Sequence, residues 1–237
     1  DPGFLLDIEK DAVRVDDEEI RLQHDVYIMM NKCQNVVCAN KDGEHQTVFD
    51  LLDESLKHKF LGGELHCMGR LDIDTEGLLI LTTDGKLTHR LLSPKTHAPK
   101  TYAVGLRDSL TEEEKQKYRE KFSKGFWIDA EGNENGFDAK PSELDFTLPD
   151  TCAAQTLQKD SKNANLESDS SRKDSVDCIL TIYEGKFHQV KRMFAQLGNE
   201  VVYLKRVKMG ALELDPALPP GGYRELSEEE IALLSTN

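Results

Sequence analysis

The chain has 237 residues, 38% of them hydrophobic, and five cysteines, enough for one large domain with an ample core. No apolar run reaches the roughly 18 to 20 residues of a membrane helix, the amino end lacks a charged-then-apolar secretory pattern, and Cys33, Cys38, Cys67, Cys152 and Cys178 include no C-x-x-C pair, which favours reduced thiols in a cytoplasmic protein over a metal site. A formal net charge of -14 gives nucleic-acid binding no support when taken whole, because polyanions repel.

Taken in order, Val13-Arg14-Val15 is a short strand pattern followed by a polar Asp16-Asp17 turn. Val26–Met30 is an apolar run suited to a core strand, and it leads into Asn31-Lys32. Thr47–Leu52 has helical spacing, with Val48, Leu51 and Leu52 on one face. Gly69-Arg70-Leu71-Asp72-Ile73-Asp74-Thr75-Glu76-Gly77 then runs into Leu78-Leu79-Ile80-Leu81, so a carboxylate flanked by an arginine and two glycines stands at the mouth of a buried strand ending at Asp84-Gly85. Leu87–Leu92 reads as a short helix stopped at Ser93-Pro94. Tyr102, Val104 and Leu106 alternate with small residues along a strand.

Thr111-Glu112-Glu113-Glu114 is a capping box that opens a charged helix to about Lys121. Residues 155–175 are rich in Ser, Asp, Asn and Lys and read as a flexible insertion without chemistry. Val176–Ile182 resumes a strand. Val190, Met193, Phe194 and Leu197 follow helical spacing, with Gly198 in the position preferred at a helix C-terminus. Val201–Lys208 is another strand, and Ser227-Glu228-Glu229-Glu230 is a second capping box before a terminal helix. Strands outnumber helices, which predicts an α+β fold: a mixed, mainly antiparallel sheet with flanking helices.

Charge is distributed unevenly along this series. Residues 1–65 hold 7 basic and 15 acidic side chains, whereas 66–106 hold 5 and 4, and 183–210 hold 6 and 2. The acidity therefore lies outside the segments that carry the motifs, and RNA binding stands as a local hypothesis.

The string G-R-L-D-I-D-T-E-G-L-L-I-L-T-T-D-G, followed by Lys100-Thr101-Tyr102, by Gly185-Lys186-Phe187-His188-Gln189-Val190-Lys191-Arg192-Met193 and by Leu204-Lys205-Arg206, resembles the ordered motifs of the pseudouridine synthases, in the small- and large-subunit rRNA branch. The resemblance runs from about Tyr27 to Leu234. It implies Asp72 as the nucleophile, Tyr102 as the ring that stacks on the target base, Lys191 as the cation paired with the aspartate, and Arg192 as the neighbouring candidate. Arg70, Thr75, Lys100, Leu204 and Arg206 are implied to contact the base or the RNA. Lys95, Lys205 and Lys208 are candidates for backbone contact.

The implied reaction isomerises a uridine within ribosomal RNA and needs no metal, nucleotide or redox cofactor. Its partner is rRNA or a pre-ribosomal small-subunit particle, and the protein is expected to act as a monomer. A nucleophilic carboxylate must be ionised, and a cation within about 4–6 Å favours that form. The base must leave its stack, and an aromatic face then holds it for about 1–3 kcal/mol. Asp74 and Glu76 read as solvent-facing turn residues, and His188 as a structural hydrogen bonder at the start of its helix rather than a general base.

Two departures stand out. The family's first motif usually has proline and then glycine after Asn-Lys; here it is Asn31-Lys32-Cys33-Gln34-Asn35, with Asn35 able to turn left-handed. Asp7–Ile20 resembles only the last strand and turn of the small RNA-binding domain usual in this branch, so residues 1–24 are assigned to its end and 25–237 to the catalytic domain. D-I-D-T-E-G and H-A-P-K-T-Y resemble the small-subunit enzyme more than its 23S relatives, which tend to be more basic. A 23S rRNA enzyme is the runner-up, and a non-catalytic ribosome-assembly factor is the rival of another class.

Overall fold

The computed structural model describes residues 13–15, 18–20, 25–53, 56, 64–93, 98–148 and 175–235. Lys95, Cys152 and, apart from Ser175, the predicted insertion at 155–175 lie outside them.

Strands β1 (Val13–Val15) and β2 (Glu18–Ile20) form an antiparallel hairpin. Then come β3 (Tyr27–Lys32), β4 (His66–Cys67), β5 (Glu76–Thr82), α1 (Gly85–Leu92), β6 (Lys100–Leu106), α2 (Glu112–Lys124), β7 (Phe126–Ile128), β8 (Phe137–Ala139) and β9 (Glu143–Asp145). The remainder is β10 (Cys178–Ile182), α3 (Gln189–Ala195), β11 (Val201–Met209), β12 (Leu212–Glu213), β13 (Tyr223–Glu225) and α4 (Glu228–Ser235). The main sheet runs β13-β3-β5-β11-β6-β10-β9, with β12 on β11 and β4 on β5. Its pairings are antiparallel except β5 with β11. This is the α+β arrangement expected from the sequence.

Both faces of the central strands are covered, which is why β3 and β5 are continuous apolar runs rather than alternating ones. Ile28, Met30, Leu79 and Leu81 point into one core with Tyr102 and Val104, closed by Tyr118 and Phe122 of α2 and by Val190, Met193 and Phe194 of α3. Met29, Leu78 and Ile80 point the other way, onto Leu87 and Leu91 of α1 and Leu234 of α4. Each such buried side chain stabilises the fold by about 1.5–3 kcal/mol.

The helix ends follow local chemistry. Asp84 caps α1 by accepting from the N–H groups of Lys86 and Leu87. Thr111 and Glu114 form the expected capping box on α2, which continues to Lys124, past the predicted Lys121, and stops at left-handed Gly125. Ser227 and Glu230 make the same reciprocal pair at α4.

Thr47–Leu52 differs from its helical reading. Asp50 accepts from both the N–H and the hydroxyl of Thr47, and the backbone closes i→i+3 turns at Thr47–Asp50 and Phe49–Leu52. Val48 and Leu52 are buried without a helix because these turns bring them to the same side.

Candidate active site

Two loops meet where β3 ends and β5 begins. Asn35 adopts φ 64, as its side chain permits, and its N–H donates to the carbonyl of Ile73 at 2.8 Å. The Lys32 side chain, with no exposed surface, turns inward. Its Nζ donates to the carbonyls of Cys33 (3.0 Å), Asp72 (3.0 Å), Thr75 (2.9 Å) and, at longer range, Ile73 (3.4 Å). Burial pushes this ammonium below the ordinary lysine range, opposed by Cys38, Cys33, Asp74 and Asp72. One buried cation thus ties the Asp72 loop to the end of β3, a role the sequence reading did not assign to Lys32.

β5 is held close to β11 at Gly77. A Cβ there would lie 2.2 Å from the Arg206 carbonyl oxygen, and its φ is +100. Glycine is therefore required for the parallel register Gly77↔Arg206, which sets Arg206 beside the Asp72 loop.

A cavity of about 930 Å³ opens at this junction, and Arg70, Asp72, Thr75, Lys100, Tyr102, Lys191, Leu204 and Arg206 all line it. Eight of the nine residues that the resemblance implies for chemistry or for contact with the base or RNA are thereby brought together, whereas Lys205 and Lys208 do not line the cavity. Asp72 keeps 31% of its side chain exposed, with Lys191 Nζ 3.6 Å from Oδ2 and His188 Nε2 3.9 Å from Oδ1. Tyr102 and Leu204 are buried in the wall. Arg70 is exposed at the rim.

Lys191 also bonds Asp74 at 2.5 Å, so the acidic loop presents two carboxylates to one ammonium. Partial burial works against ionisation of Asp74, but the Lys191 bond and charge outweigh it and hold the carboxyl below its usual range. The solvent-facing reading of Asp74 is right about exposure, at 61%, and incomplete about contact.

Arg206 is 2% exposed; its Nε donates to the Leu78 carbonyl at 2.8 Å, and its Nη2 has no hydrogen-bond partner among the described residues. Thr75 Oγ1 is buried and unpartnered in the same way. Lys100 donates to the Ala98 carbonyl at 3.1 Å, and burial together with the neighbouring Arg206 charge pushes its ammonium down to about 8. These groups give the cavity unused polar capacity that a bound polar ligand would satisfy.

Arg192 lies elsewhere. It is 5% exposed, its guanidinium donates to the carbonyls of Asp129 (2.7 Å) and Asn135 (3.0 Å), and it sits over the Phe137 ring. Lys191 and Arg192 are about 100° apart on α3, and the seating of Val190, Met193 and Phe194 in the core sends only Lys191 to the Asp72 loop.

His188 differs from its reading as a helix-start hydrogen bonder. It occupies the N-cap of α3 in left-handed geometry, φ 47, and makes no side-chain cap bond; its ring faces Asp72 instead. Gln189 braces the turn ahead of the helix: its Oε1 accepts from the Lys186 N–H (3.0 Å) while Nε2 donates to Glu184 (2.7 Å). Cys38 and Cys67 also line the cavity and hydrogen-bond each other; the bond from Cys67 draws the Cys38 thiol below its usual range.

Against known proteins, the family model described as RNA pseudouridylate synthase matches residues 26–196. The chain is 43% identical over 230 residues to an uncharacterized RNA pseudouridine synthase of Bacillus subtilis, covering 97% of this chain and 82% of that one. It is 40% identical over 229 residues to ribosomal small subunit pseudouridine synthase A of Vibrio vulnificus (97% and 82% covered), and 39% over 231 residues to the Escherichia coli protein of that name (97% and 83% covered). A crystal structure described as a pseudouridylate synthase superposes with a TM-score of 0.67 at 36% identity, covering 98% of this chain and 83% of that one.

Proposed function

Because the chain belongs to the RNA pseudouridylate synthase family and is an RNA pseudouridine synthase, we propose that it isomerises one uridine of 16S rRNA to pseudouridine, with Asp72 as nucleophile on a flipped-out base. The observation that carries this reading is the Asp72–Lys191 pair at 3.6 Å in a cavity walled by Tyr102, Leu204 and Arg206. The names of the relatives support the small-subunit assignment.

In this reading the target uridine leaves the RNA stack and enters the cavity, where Tyr102 and Leu204 present the flat and apolar contacts of the wall. Asp72 assists cleavage of the bond from the uracil nitrogen to the anomeric carbon. The ring turns, rejoins through carbon 5, and loses the proton from that carbon to water while the freed nitrogen takes up a proton. Lys191 sets a counter-charge 3.6 Å from the nucleophile. Thr75, Lys100 and the spare donor of Arg206 meet polar atoms of the nucleotide, and Arg70 meets the RNA at the rim. A cavity filled by the base keeps water from the separated sugar and ring. Arg192 is assigned to structure, since it does not line the cavity and its Nη2 is spent on the carbonyls of Asp129 and Asn135, although its buried Nε has no hydrogen-bond partner among the described residues.

The test is to map pseudouridines in 16S and 23S rRNA from cells with and without the gene. Loss of one 16S pseudouridine, restored by the wild-type gene, is the expected result. A lost site in 23S rRNA transfers the reading to the large subunit. A full complement of pseudouridines in both RNAs, with defective small-subunit assembly, replaces it with a non-catalytic assembly factor.

A further inference from the structure

Five large apolar side chains are conspicuously exposed among the described residues: Ile73, Leu92, Trp127, Phe187 and Leu233. Three of them, Ile73, Leu92 and Phe187, line the cavity that holds Asp72. Phe187 is the one aromatic of the three and is 46% exposed. Its ring stacks on that of His188, with centroids 3.7 Å apart and planes 23° from parallel. An apolar ring left in water forgoes stabilisation it would gain by burial, so its exposure at the mouth of a site points to a partner that covers it.

The backbone is shaped to hold the ring there. His188 is one of two non-glycine residues with positive φ among those described, the other being Asn35 in the loop that braces Asp72. A left-handed residue of this kind persists where its surroundings over-determine it. Here the Gln189 bonds to Lys186 and Glu184 fix the turn from the inside, while the His188 ring faces Asp72. Phe187 is consequently lifted to the rim of a cavity that Lys186 and Lys191 also line, the Lys186 ammonium lying over the Phe137 ring and that of Lys191 pairing with Asp74 and Asp72.

An exposed aromatic face at the mouth of a site that also carries cations is the pattern that holds a nucleobase. The target uridine belongs deeper, beside Tyr102. The rim position is suited to the base next to it, which loses a stacking neighbour when the uridine leaves. Resting on the 16S rRNA reading above, we infer that Phe187, stacked on His188, is a platform for the nucleobase adjacent to the extruded uridine, and that it positions the RNA over the cavity.

The test compares wild type with Phe187→Leu, Phe187→Ala and Phe187→Trp on 5-tritiated-uridine 16S rRNA, both free and in small-subunit assembly particles from cells lacking the gene. Phe187 is half exposed, so all variants are expected to melt with wild type. A stack made before and during reaction acts on KM. Alanine and leucine variants are therefore expected to raise KM on the order of 5- to 100-fold with kcat little changed, and tryptophan to restore KM. An unchanged KM in the alanine variant overturns the platform, and so does rescue by leucine, which has bulk but no flat face. If wild type itself releases no tritium from either RNA, the functional reading fails on its own. Filter binding of the same RNAs then reads the platform directly, and equal dissociation constants for wild type and Phe187→Leu overturn it.

Discussion

Replacing Lys32 by methionine keeps most of the side chain's length and removes its charge and donors. Four carbonyls lose their shared partner. Those of Asp72 and Ile73 keep backbone N–H donors, from Thr75 at 3.1 Å and from Asn35 at 2.8 Å. The loss falls hardest on the Cys33 and Thr75 carbonyls. A buried acceptor left unsatisfied costs about 1–3 kcal/mol, while removing the penalty of burying an ammonium offsets part of this. The net is a loss of about 2–4 kcal/mol, which lowers a urea midpoint by about 1–2 M for a slope of about 2 kcal/mol/M. The second effect is on chemistry. A misplacement of about 1 Å in a reacting group costs on the order of 100-fold, so kcat for tritium release falls by at least that factor under conditions where the variant is folded, with RNA still bound. Urea titration followed by single-turnover release on the same preparation measures both. A midpoint within about 0.3 M of wild type, together with a kcat within threefold, would refute the assignment of Lys32 as the tie that holds the Asp72 loop.

Lys100, pushed down to about 8 by burial and by Arg206, gives two further outcomes. If its charged form meets RNA, kcat/KM falls as pH rises through about 8, and Lys100→Arg moves that limb upward, as a pH–rate profile will show. Between about 8 and the ordinary lysine value of 10.5 the unfolded chain binds more protons at this position than the folded one, so this residue's contribution makes the protein more stable as pH rises across that window; Lys100→Met removes the dependence in urea titrations at pH 7.5 and 9.5. Gly77→Ala forces a Cβ to 2.2 Å from the Arg206 carbonyl at a φ of +100, which is expected to cost at least about 3 kcal/mol and lower Tm by about 10 °C in thermal unfolding. A wild-type Tm for that variant contradicts the close approach of β5 and β11.

The parts of the site that sequence reveals are those in which chemistry and chain order coincide. The Gly69–Gly77 string places Asp72 just ahead of an apolar strand, and the structure puts it there. Thr111 and Ser227 act locally, so the starts of α2 and α4 are legible from the caps alone; Asp84-Gly85 reads as a turn, and the structure makes Asp84 the cap of a helix that starts two residues ahead of the predicted Leu87. The rest depends on contacts distant in sequence. A lysine closing a strand reads as solvated, and only the arrival of the Asp72 loop some forty residues later turns Lys32 inward. Periodicity puts Lys191 and Arg192 at neighbouring angles; which of them faces Asp72 follows from the three side chains α3 buries. The parallel β5–β11 pairing is invisible in either strand, although Gly77 is its trace. Strands β7, β8 and β9 have three residues each, too few to show a period. His188 looks like a helix-start residue because it is one; its left-handed backbone, which sends the ring elsewhere, has no pattern in the sequence.

The role of Asp72 is tested most directly by Asp72→Asn, which keeps the shape of the side chain and removes its ionisable oxygen. In single-turnover release of tritium from carbon 5 of uridine in 16S rRNA, the variant is expected to fall at least about 10⁴-fold, equivalent to about 5 kcal/mol of barrier, while melting and binding RNA as wild type does. Release at a rate near wild type would remove the nucleophile from the site and, with it, the chemistry proposed for the cavity.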